Sequence, residues 1–353
     1  MRILQLTTDL RYSGAEHMIL ELVRELRDRG HECAVAGLFE GGRKKGKLRA
    51  ELQQEGFTVF CAGIEKKWML WKALPLHRFI RDWAPDVLHT HLFHANTFGA
   101  LLRMSGPRRP LIWTHHNVER RRLPLRRAVA RMLAHVPDAH VCVSRAVVHH
   151  WWTLGGKGTD TRVIYNGIEI SPFLAVEPRP GLTFGAVGML IKQKGFDVLI
   201  KAFAEVAHQH CDATLKIAGE GPEREGLALL ARQLDVGDRV ELLGFVDDVP
   251  GFLSDLNIFV MPSRWEGFGL TLLEALAAGL PCIASRVDSL PEVGGDVVRW
   301  TRPEDVEGLG RAMLDVSEAD YEENAIAARK KRAEIFSPHR MADQYVALYR
   351  SLL

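Results

Sequence analysis

The chain alternates short apolar runs with longer amphipathic segments along its whole length. The apolar runs have the length of strands, and the segments between them repeat apolar residues with the period of a helix. In residues 15–30 ("AEHMILELVRELRDRG"), for example, Met18, Leu22 and Leu26 recur every four positions and Gly30 ends the pattern. Strands that alternate with helices are typical of βαβ units. The pattern therefore predicts an α/β fold with doubly wound parallel sheets.

Eleven apolar runs are predicted to be strands, six in the first half of the chain and five in the second. They cover residues 2–7, 32–38, 57–62, 86–91, 110–115 and 139–144, and then 182–188, 213–219, 239–244, 256–262 and 280–285. Between the two sets, prolines in "ISPFLAVEPRPG" (170–181) interrupt both periods. A chain of 353 residues is also long for one hydrophobic core. We therefore predict two Rossmann-like domains of similar size that face each other.

Charge is divided unevenly between the halves. Residues 1–170 carry 27 Lys and Arg against 16 Asp and Glu, and residues 171–353 carry 19 against 28. A basic half favours an anionic surface or ligand, and the alternative is attraction between two oppositely charged halves. Nucleic acid is disfavoured because no recognised binding motif accompanies the charge.

The basic residues of the first half occur in clusters near aromatic residues. Such clusters suit a surface held against anionic lipid headgroups, and the alternative is a solvated helix surface. The clusters are residues 41–51, 106–110 and 117–132, with Trp68, Trp71 and Trp83 nearby in the sequence.

Cysteine usage and hydropathy bear on the compartment. The five cysteines form no C-x-x-C pair, which favours a reducing cytoplasm and argues against structural zinc. No apolar run approaches the roughly 18 residues of a membrane-spanning helix, and "MRILQLTTDL" reads as a strand instead of a secretion signal. We expect a cytoplasmic protein, with peripheral binding to the cytoplasmic face of the inner membrane as a further hypothesis.

The segment "SRWEGFGLTLLEALAAGLPCIASRV" (263–287) carries the main candidate site. Gly267 and Gly269 allow close approach of the backbone, and a helix that begins near residues 268–270 would present unpaired amides to an anion such as a diphosphate. Glu266 precedes this helix, and Glu274 lies within it in an apolar setting where an unpartnered carboxylate is costly. The alternative for Glu274 is a thin solvent-facing stripe. The fingerprints of dinucleotide-binding folds, P-loops and nucleophile elbows are absent.

Glu266 and Glu274 match the E-x7-E signature of a known family, and other segments follow that family's order. They are "SGAE" (13–16), "HTHLFHAN" (89–96), "IWTHHN" (112–117), "VCVS" (141–144), "VIYNGIE" (163–169), "VGMLIKQKGFDVLIKAF" (187–203), "IAGEGPER" (217–224), "LLGFVDDV" (242–249) and "FSPHRMADQYVALYRSLL" (336–353). Over nearly its whole length the chain resembles the retaining GT-B glycosyltransferases of family 4, the glycosyl transferases group 1.

The resemblance implies a domain plan. Residues 1–168 would form an acceptor-binding Rossmann-like domain, residues 169–181 a linker, and residues 182–335 the domain that binds the nucleotide-sugar donor. Residues 336–353 would form a C-terminal helix that returns to the N-terminal domain.

The resemblance also assigns donor contacts. Glu266 would bind hydroxyls of the donor sugar, and Glu274 would bind the ribose of the nucleotide. Lys194 would neutralise the diphosphate. The remaining donor contacts would be the backbone amides and short loops around sugar and phosphate, namely Gly14, Gly267, Phe268, Gly269 and Leu270. Asn166 would also contact the donor, and with Gly167 it would form part of the cleft wall near the hinge. Met189 stands where many members have an Arg that shares the diphosphate charge. Either Lys194 and the helix amides carry more of that charge, or another basic residue compensates.

Three histidines are candidates for the acceptor side of the site: His91, His115 and His116. His116 matches the histidine that lines the family's reaction centre, so His116, Lys194 and Glu266 are the expected catalytic residues. Strand alternation allows only one of His115 and His116 to face the ligand. His89, His91 and His94 form H-x-H-x-x-H, but their spacing and the absence of nearby carboxylates argue against a metal. The family manages without one, so we expect no metal and no cofactor beyond the donor.

The function implied is transfer of a sugar from a UDP- or GDP-sugar to a saccharide or lipid-linked acceptor, with retention of configuration, in cell-surface polysaccharide, lipopolysaccharide or glycolipid synthesis. Two alternatives remain. A nucleotide-sugar epimerase of the same fold would need further acid and base carboxylates. A non-catalytic module that binds nucleotide-sugar is favoured only by Met189.

Overall fold

The structure is a computed structural model that describes residues 1–10, 14–39, 47–64, 74–118, 124–173, 182–316 and 318–353. It divides into two compact units: Met1–Gly167 with Pro338–Leu353, and Ile168–Ser337. The predicted linker begins inside the second unit, and its residues 174–181 lie outside the described residues, as do Trp68, Trp71 and parts of two basic clusters (41–46 and 119–123).

The first unit is built on a parallel sheet. Its strands are β1 (Arg2–Asp9), β2 (Glu32–Phe39), β3 (Thr58–Ile64), β4 (Val87–His91), β5 (Leu111–His115), β6 (Ala139–Cys142) and β7 (Thr161–Val163). Within the described residues their order is β3-β2-β1-β4-β5-β6-β7, and neighbouring strands pair in parallel. The order reverses between β1 and β4, and ligands of doubly wound sheets bind beyond the carboxyl ends of strands at such a point.

Helices connect these strands and cover the sheet. They are α1 (Gly14–Asp28), α2 (Lys47–Gln54), α3 (Leu74–Trp83), α4 (Leu92–Ser105), α5 (Pro124–Leu133) and α6 (Arg145–Trp151), with the C-terminal α14 (Pro338–Leu352). The predicted period of α1 is confirmed, since Met18, Leu22 and Leu26 are fully buried.

The C-terminal helix α14 completes the core of the first unit, as the resemblance implied for this segment. Tyr345 and Tyr349 are fully buried and pack in one apolar cluster with α1 and one face of the sheet. At the surface, Arg29 at the end of α1 donates to the Asp343 carboxylate at 2.8 Å. Burial of two large aromatic side chains stabilises this docking by several kcal/mol, which exceeds the contribution of a half-exposed ion pair.

The second unit repeats the architecture. Its strands are β8 (Thr183–Val187), β9 (Thr214–Ala218), β10 (Val240–Gly244), β11 (Ile258–Met261), β12 (Cys282–Ser285) and β13 (Arg299–Thr301). Its helices are α7 (Phe196–Gln209), α8 (Arg224–Gln233), α9 (Val249–Ser254), α10 (Leu270–Ala277), α11 (Leu290–Gly294), α12 (Val306–Leu314) and α13 (Glu323–Glu334). In the described part of the chain the sheet is parallel with the order β10-β9-β8-β11-β12-β13, so its reversal lies between β8 and β11.

The two parallel sheets confirm the predicted fold class. The eleven predicted strands are present, and two further strands, β7 and β13, were not predicted. Each has three residues, lies at an edge of its sheet and carries a partly polar sequence, "TRV" or "RWT". Such short edge strands give neither an apolar run nor a measurable alternation.

Candidate functional site

In the second unit, the loops that follow β8 and β11 contain most of the predicted donor residues. Lys194 ends a 3₁₀ turn after β8, and Glu266 lies in the loop after β11. Lys194 Nζ donates a hydrogen bond to Glu266 Oε1, and both side chains are largely buried. Because β8 and β11 flank the reversal of strand order, this ion pair lies where a doubly wound sheet binds ligands.

A glycine allows the two loops to meet. Gly195 follows Lys194 with φ of 67°, and a Cβ at this position would lie 2.1 Å from the carbonyl oxygen of Pro262 at the end of β11. A side chain here would therefore collide with backbone that cannot turn away. Gly195 thus brings Lys194 within reach of Glu266.

The backbone of Glu266 is held from the loop that follows β12. Its amide donates to Asp288 Oδ2 at 3.1 Å, and its carbonyl accepts from Ser289 Oγ at 3.2 Å. Asp288 itself has φ of 43°, a region that costs a non-glycine residue energy. Glu266 is therefore fixed at its backbone as well as at its carboxylate.

Arg264 anchors the same loop on its other side. Its guanidinium donates two hydrogen bonds of 2.8 Å to the Asp197 carboxylate and a further one to Glu304. Burial works to raise the pKa of Asp197, but the hydrogen bonds from Arg264 outweigh it and hold that pKa below its usual value. The bidentate geometry ties the loop to the start of α7.

The N-terminus of α10 lies directly after this loop. Gly269 precedes the helix with φ of 97°, and a Cβ there would lie 2.5 Å from Leu290 Cδ2. The first amides of a helix have no intrahelical acceptor and carry its positive end. The predicted start of the helix near residues 268–270 agrees with the structure, which begins α10 at Leu270. Together with Gly267 and buried Phe268, this end forms an anion-binding geometry.

Glu274 lies in the second turn of α10 and is half-buried. Withdrawal of its carboxyl group from water raises its pKa to about 8. No hydrogen-bond partner of this carboxyl group is found among the residues that the structure describes, and the neighbouring Thr271 hydroxyl is buried and likewise without a partner there. Two polar groups one turn apart, the Thr271 hydroxyl and the half-buried Glu274 carboxyl group, are thus available to a ligand.

Three other predicted donor residues have different surroundings. Met189, after β8, is exposed. Gly14 is exposed as the first residue of α1, which follows β1 at the strand-order reversal of the first unit. Asn166 is buried, and its Oδ1 atom has no hydrogen-bond partner in the described ranges.

The predicted acceptor histidines lie at the carboxyl ends of β4 and β5 in the first unit. His91 Nδ1 is 3.0 Å from His116 Nε2, so the structure brings these two together. His115 points elsewhere: its Nε2 is 3.1 Å from His140 Nδ1, and its ring stacks on Trp151. As strand alternation required, adjacent residues 115 and 116 have separate partners. Burial lowers the pKa of His116 to about 3, so the ring is neutral.

The H-x-H-x-x-H pattern does not converge. Both ring nitrogens of His89 lie within 2.7 Å of protein hydroxyls, those of Tyr349 and Thr114. His94 is on α4, where its Nε2 is 3.4 Å from an Arg126 nitrogen. Within the described ranges no three His, Cys, Asp or Glu side chains are grouped so as to hold a metal ion.

Several residues at these positions were missed by sequence reasoning. Arg264 and Asp288 fix the loop of Glu266, and Gln5 and Tyr349 contact the buried histidines. A polar Gln5 inside the apolar run "RILQLT" was the one available signal. The partners of the others are 22 to 344 positions away in the sequence, so spacing carries no sign of them.

Solved structures with this fold cover the whole chain. Anabaena HepE, crystallised with UDP-glucose, matches with a TM-score of 0.86 at 21% identity, covering 100% of both chains. The lipopolysaccharide outer core galactosyltransferase WaaB matches with a TM-score of 0.74 at 18% identity, again over 100% of both chains. At these identities the likeness shows the fold, which is that of the GT-B glycosyltransferases.

Sequence comparison gives the family. The family model described as "Glycosyltransferase Family 4" matches residues 12–171, and "Glycosyl transferases group 1" matches residues 175–333. A glycogen synthase of Mycobacterium tuberculosis is 32% identical over 289 residues, 76% of this chain and 69% of the relative. A phosphatidyl-myo-inositol mannosyltransferase of Mycolicibacterium smegmatis is 26% identical over 90% of this chain and 84% of the relative. The chain belongs to glycosyltransferase family 4.

Proposed function

We propose that this glycosyltransferase moves a hexose from a UDP- or GDP-sugar to a saccharide or lipid-linked acceptor, with retention at the anomeric carbon, in the synthesis of cell-surface polysaccharide or glycolipid. The observation that carries the proposal is the group of Lys194, Glu266, Glu274 and the N-terminus of α10 at the strand-order reversal of the second unit. A nucleotide-sugar consists of a sugar, a diphosphate and a nucleoside with a ribose, and this group offers a binding partner to each of the three parts.

Each charged or polar group of the site suits a different part of the donor. The diphosphate carries negative charge that grows as the glycosidic bond breaks, and Lys194 with the amides of Phe268, Gly269 and Leu270 would stabilise it. Glu266 can only accept hydrogen bonds when ionised, which suits it to sugar hydroxyls. Glu274, already raised in pKa and unpartnered among the described residues, suits the paired hydroxyls of the ribose.

In this proposal, donor binding replaces the ion pair of Lys194 and Glu266 by contacts with the ligand. Without ligand, Lys194 and Glu266 neutralise each other. A diphosphate would take Lys194 as its counter-charge and leave the Glu266 carboxylate to the sugar hydroxyls, so neither charge is left buried and unpaired. Met189 brings no charge, and Lys194 with the helix end therefore carries the diphosphate without the second cation that many members have.

The reaction needs no protein nucleophile in this account. In the proposed step the bond from the anomeric carbon to the diphosphate oxygen breaks with both electrons leaving on the diphosphate. The acceptor hydroxyl attacks the same face of the sugar, and its proton passes to the departing diphosphate. His116, neutral and placed at the carboxyl end of β5, would orient a hydroxyl in the acceptor domain. The proposed contributions of the protein are electrostatic stabilisation and exclusion of water.

The relatives favour a carbohydrate or lipid-linked acceptor. HepE was crystallised with UDP-glucose, and one relative is a phosphatidyl-myo-inositol mannosyltransferase. Another is an O-antigen biosynthesis glycosyltransferase from Escherichia coli, 31% identical over 44% of this chain. These support a nucleotide-sugar donor and a cell-surface product.

Peripheral membrane contact has its own support on α5. Leu125 and Met132 are exposed on this helix, and Arg127 and Arg131 are exposed beside them. Apolar side chains flanked by arginines suit the interface of an anionic bilayer. In the described part of the chain no helix is long and apolar enough to cross a membrane. Flotation with anionic vesicles, lost in a Leu125→Ser/Met132→Ser variant and in high salt, tests this contact; equal flotation with neutral vesicles would contradict it.

Donor binding tests the site directly. Thermal shift and calorimetry with UDP, GDP and their hexose conjugates should find at least one nucleotide-sugar that stabilises the protein, by about 2.7 kcal/mol at a hundred times its dissociation constant. Glu266→Gln should weaken the nucleotide-sugar more than the free nucleotide, because the sugar hydroxyls lose their acceptor. The matched control is Glu241→Gln, because the side chain of Glu241 is exposed on β10. No stabilisation by any donor, or an equal loss for nucleotide and nucleotide-sugar, would contradict the assignment.

Turnover separates the alternatives. An epimerase would convert the donor sugar without an acceptor, and a non-catalytic module would bind donor without consuming it. The transferase consumes donor in proportion to acceptor, which mass spectrometry of both products measures.

A further inference from the structure

A buried chain of neutral polar side chains runs through the first unit from the C-terminal helix to His116. Its members lie on one face of the sheet, since Gln5 pairs with His89 across β1 and β4, and His91 pairs with Thr114 across β4 and β5. All are almost completely inaccessible to solvent. They are Gln5, His89, His91, Thr114, His116, Tyr345 and Tyr349. This set is called the polar relay below.

Every link of the polar relay is within hydrogen-bond distance. Thr114 Oγ1 lies 3.3 Å from the Tyr345 hydroxyl and 2.6 Å from His89 Nε2. His89 Nδ1 lies 2.7 Å from the Tyr349 hydroxyl, which accepts from Gln5 Nε2 at 3.4 Å.

The relay then continues from the Gln5 side chain to His116. Gln5 Oε1 is 2.7 Å from His91 Nε2, and His91 Nδ1 is 3.0 Å from His116 Nε2. Buried polar groups are costly unless they are hydrogen-bonded. Each group in such a chain must therefore accept from one neighbour and donate to the next, so that all the hydrogen bonds run in the same direction.

The Gln5 amide sets that direction. Its contact of 2.7 Å to His91 has the length of an N–H···O bond, which places the amide oxygen at His91 and the amide nitrogen at Tyr349. His91 Nε2 therefore carries a hydrogen, and Nδ1 of the neutral ring accepts from His116 Nε2–H. Burial, reinforced by the neighbouring His89 and His116, holds the pKa of His91 well below its usual value, which keeps this ring from carrying hydrogens on both nitrogens.

We propose that Gln5, Tyr349 and His91 are positioning residues that fix His116 in the Nε2–H tautomer, so that His116 Nδ1 is an acceptor for a hydroxyl of a bound ligand. This nitrogen has no partner among the described residues. The inference rests on the proposed function for the role of His116 in turnover, but the tautomer is a property of the free protein.

The backbone conformation next to His91 is further support for a fixed position of this ring. β4 ends at His91, and Leu92, the first residue of α4, has φ of 68°, a left-handed conformation that is unusual for a leucine. Strain of this kind persists where the surrounding structure fixes a residue for a purpose. It redirects the chain immediately after His91, whose ring contacts His116 directly after the neighbouring strand β5.

A second histidine pair makes the contrast clear. His140 Nε2 is 2.8 Å from the Ala134 carbonyl oxygen, which can only accept, so His140 Nδ1 must accept from His115 Nε2. That pair ends at a backbone carbonyl and its direction cannot change. The polar relay ends at hydroxyl groups, which can donate or accept, and its direction therefore depends on Gln5 alone.

Gln5→Glu combined with Tyr349→Phe reverses the relay with little change in shape. Burial favours the protonated carboxyl group. Because Tyr349→Phe removes the hydroxyl on the other side, the carboxyl O–H is left to donate to His91 Nε2, which makes His91 Nδ1 the hydrogen-bearing nitrogen and His116 Nε2 the acceptor. If the proton moves to His91 instead, Nδ1 still donates to His116. In either case the hydrogen of His116 moves to Nδ1, and the acceptor offered to the ligand becomes a donor.

The experiment is long-range proton–nitrogen NMR on protein labelled with ¹⁵N-histidine, without ligand, with the His116 signals assigned by their loss in His116→Gln. We expect hydrogen on His116 Nε2 in the wild type and on Nδ1 in Gln5→Glu/Tyr349→Phe. Turnover should fall in this double variant on the order of 100-fold, the usual contribution of one positioned proton-transfer or hydrogen-bonding group. Affinity for the nucleotide should stay unchanged, because neither substitution touches a proposed nucleotide contact.

Thr90→Val is the matched control, since it removes a buried hydroxyl from β4 that donates to Asn96 outside the relay. It should lose comparable stability but keep the His116 tautomer and turnover. Hydrogen on His116 Nδ1 in the wild type, an unchanged tautomer in Gln5→Glu/Tyr349→Phe, or full turnover despite a changed tautomer would each overturn the proposal. If the tautomers are as expected but the wild type turns over no donor, the proposed function fails and the relay stands.

Discussion

Glu274→Gln should stabilise the free protein at neutral and alkaline pH, although Glu274 is assigned to the donor site. Its pKa is raised from 4.5 to about 8 because its carboxyl group loses water without gaining a partner in the described residues. Below pH 4.5 the folded and unfolded states are both protonated, and the carboxyl group costs nothing. Between pH 4.5 and 8 the unfolded state ionises first, so the wild type loses stability as the pH rises. Glutamine has a similar shape and does not ionise.

The size of the effect follows from the two pKa values. They are about 3.5 pH units apart, and at about 1.36 kcal/mol per unit the loss reaches at most about 5 kcal/mol at pH 8 and about 3 kcal/mol at pH 7. Residual contact with water around this half-buried group reduces both figures. The advantage of Glu274→Gln should therefore grow from pH 5 to pH 8 and then stay level.

Urea unfolding followed by fluorescence at pH 5, 6, 7 and 8 measures this, with Glu241→Gln on the exposed face of β10 as control. Differences in midpoint between variant and wild type are the quantity to compare, because a chain with two units need not unfold in one step. If the difference in urea midpoint between Glu274→Gln and wild type stays constant across this pH range, the reasoning is refuted.

Ionisation of the same carboxyl group should couple nucleotide binding to the release of a proton. Ribose hydroxyls donate more strongly to a carboxylate than to a neutral acid or amide. Nucleotide binding at pH 7 should therefore release a proton from Glu274, which calorimetry in buffers of different ionisation enthalpy detects, and Glu274→Gln should abolish that release while weakening binding about tenfold. Release that persists in the variant would assign the proton to another group.

Further variants test how the site is built. Gly195→Ala should destabilise the second unit by well over 1 kcal/mol in urea and remove donor binding, whereas Gly226→Ala, inside α8 with open space around it, should be neutral or stabilising by about 0.5–1 kcal/mol; equal effects would contradict the close approach to Pro262. Lys194→Met should cost on the order of 3 kcal/mol by leaving Glu266 unpaired, and adding Glu266→Gln should recover most of it in a double-mutant cycle; additive losses would show that the pair is not coupled. Asp305→Ala, which removes the cap that Gly308 N donates to at 2.8 Å, should lower stability by about 1 kcal/mol with donor affinity unchanged.

The sequence was sufficient where local pattern decides structure. The apolar period of α1, the start of α10 near Leu270 and the parallel sheets all follow from periodicity and glycine placement. The placement of Glu266 and Glu274 on either side of a helix start could also be predicted, because the two residues are only eight positions apart in the sequence. Their roles in binding came from the resemblance and stay predictions.

Long-range pairing was not readable. Lys194 was predicted to meet phosphate, but its pairing with Glu266 depends on the neighbouring positions of β8 and β11, which sequence order does not give. The polar relay joins Gln5 to a tyrosine 344 positions later. Both depend on strand order and helix docking, which are set by burial of whole elements and carry no local signal.

The central claim is that the second unit holds a nucleotide-sugar so that its sugar is transferred with retained configuration. The most direct test is NMR of the anomeric proton in the product formed by the wild type and by Glu266→Gln from whichever donor stabilises the protein. We predict that the wild type forms a glycoside with the anomeric configuration of the donor and that Glu266→Gln forms none above background. A product of inverted configuration, or equal turnover by Glu266→Gln, would contradict the account.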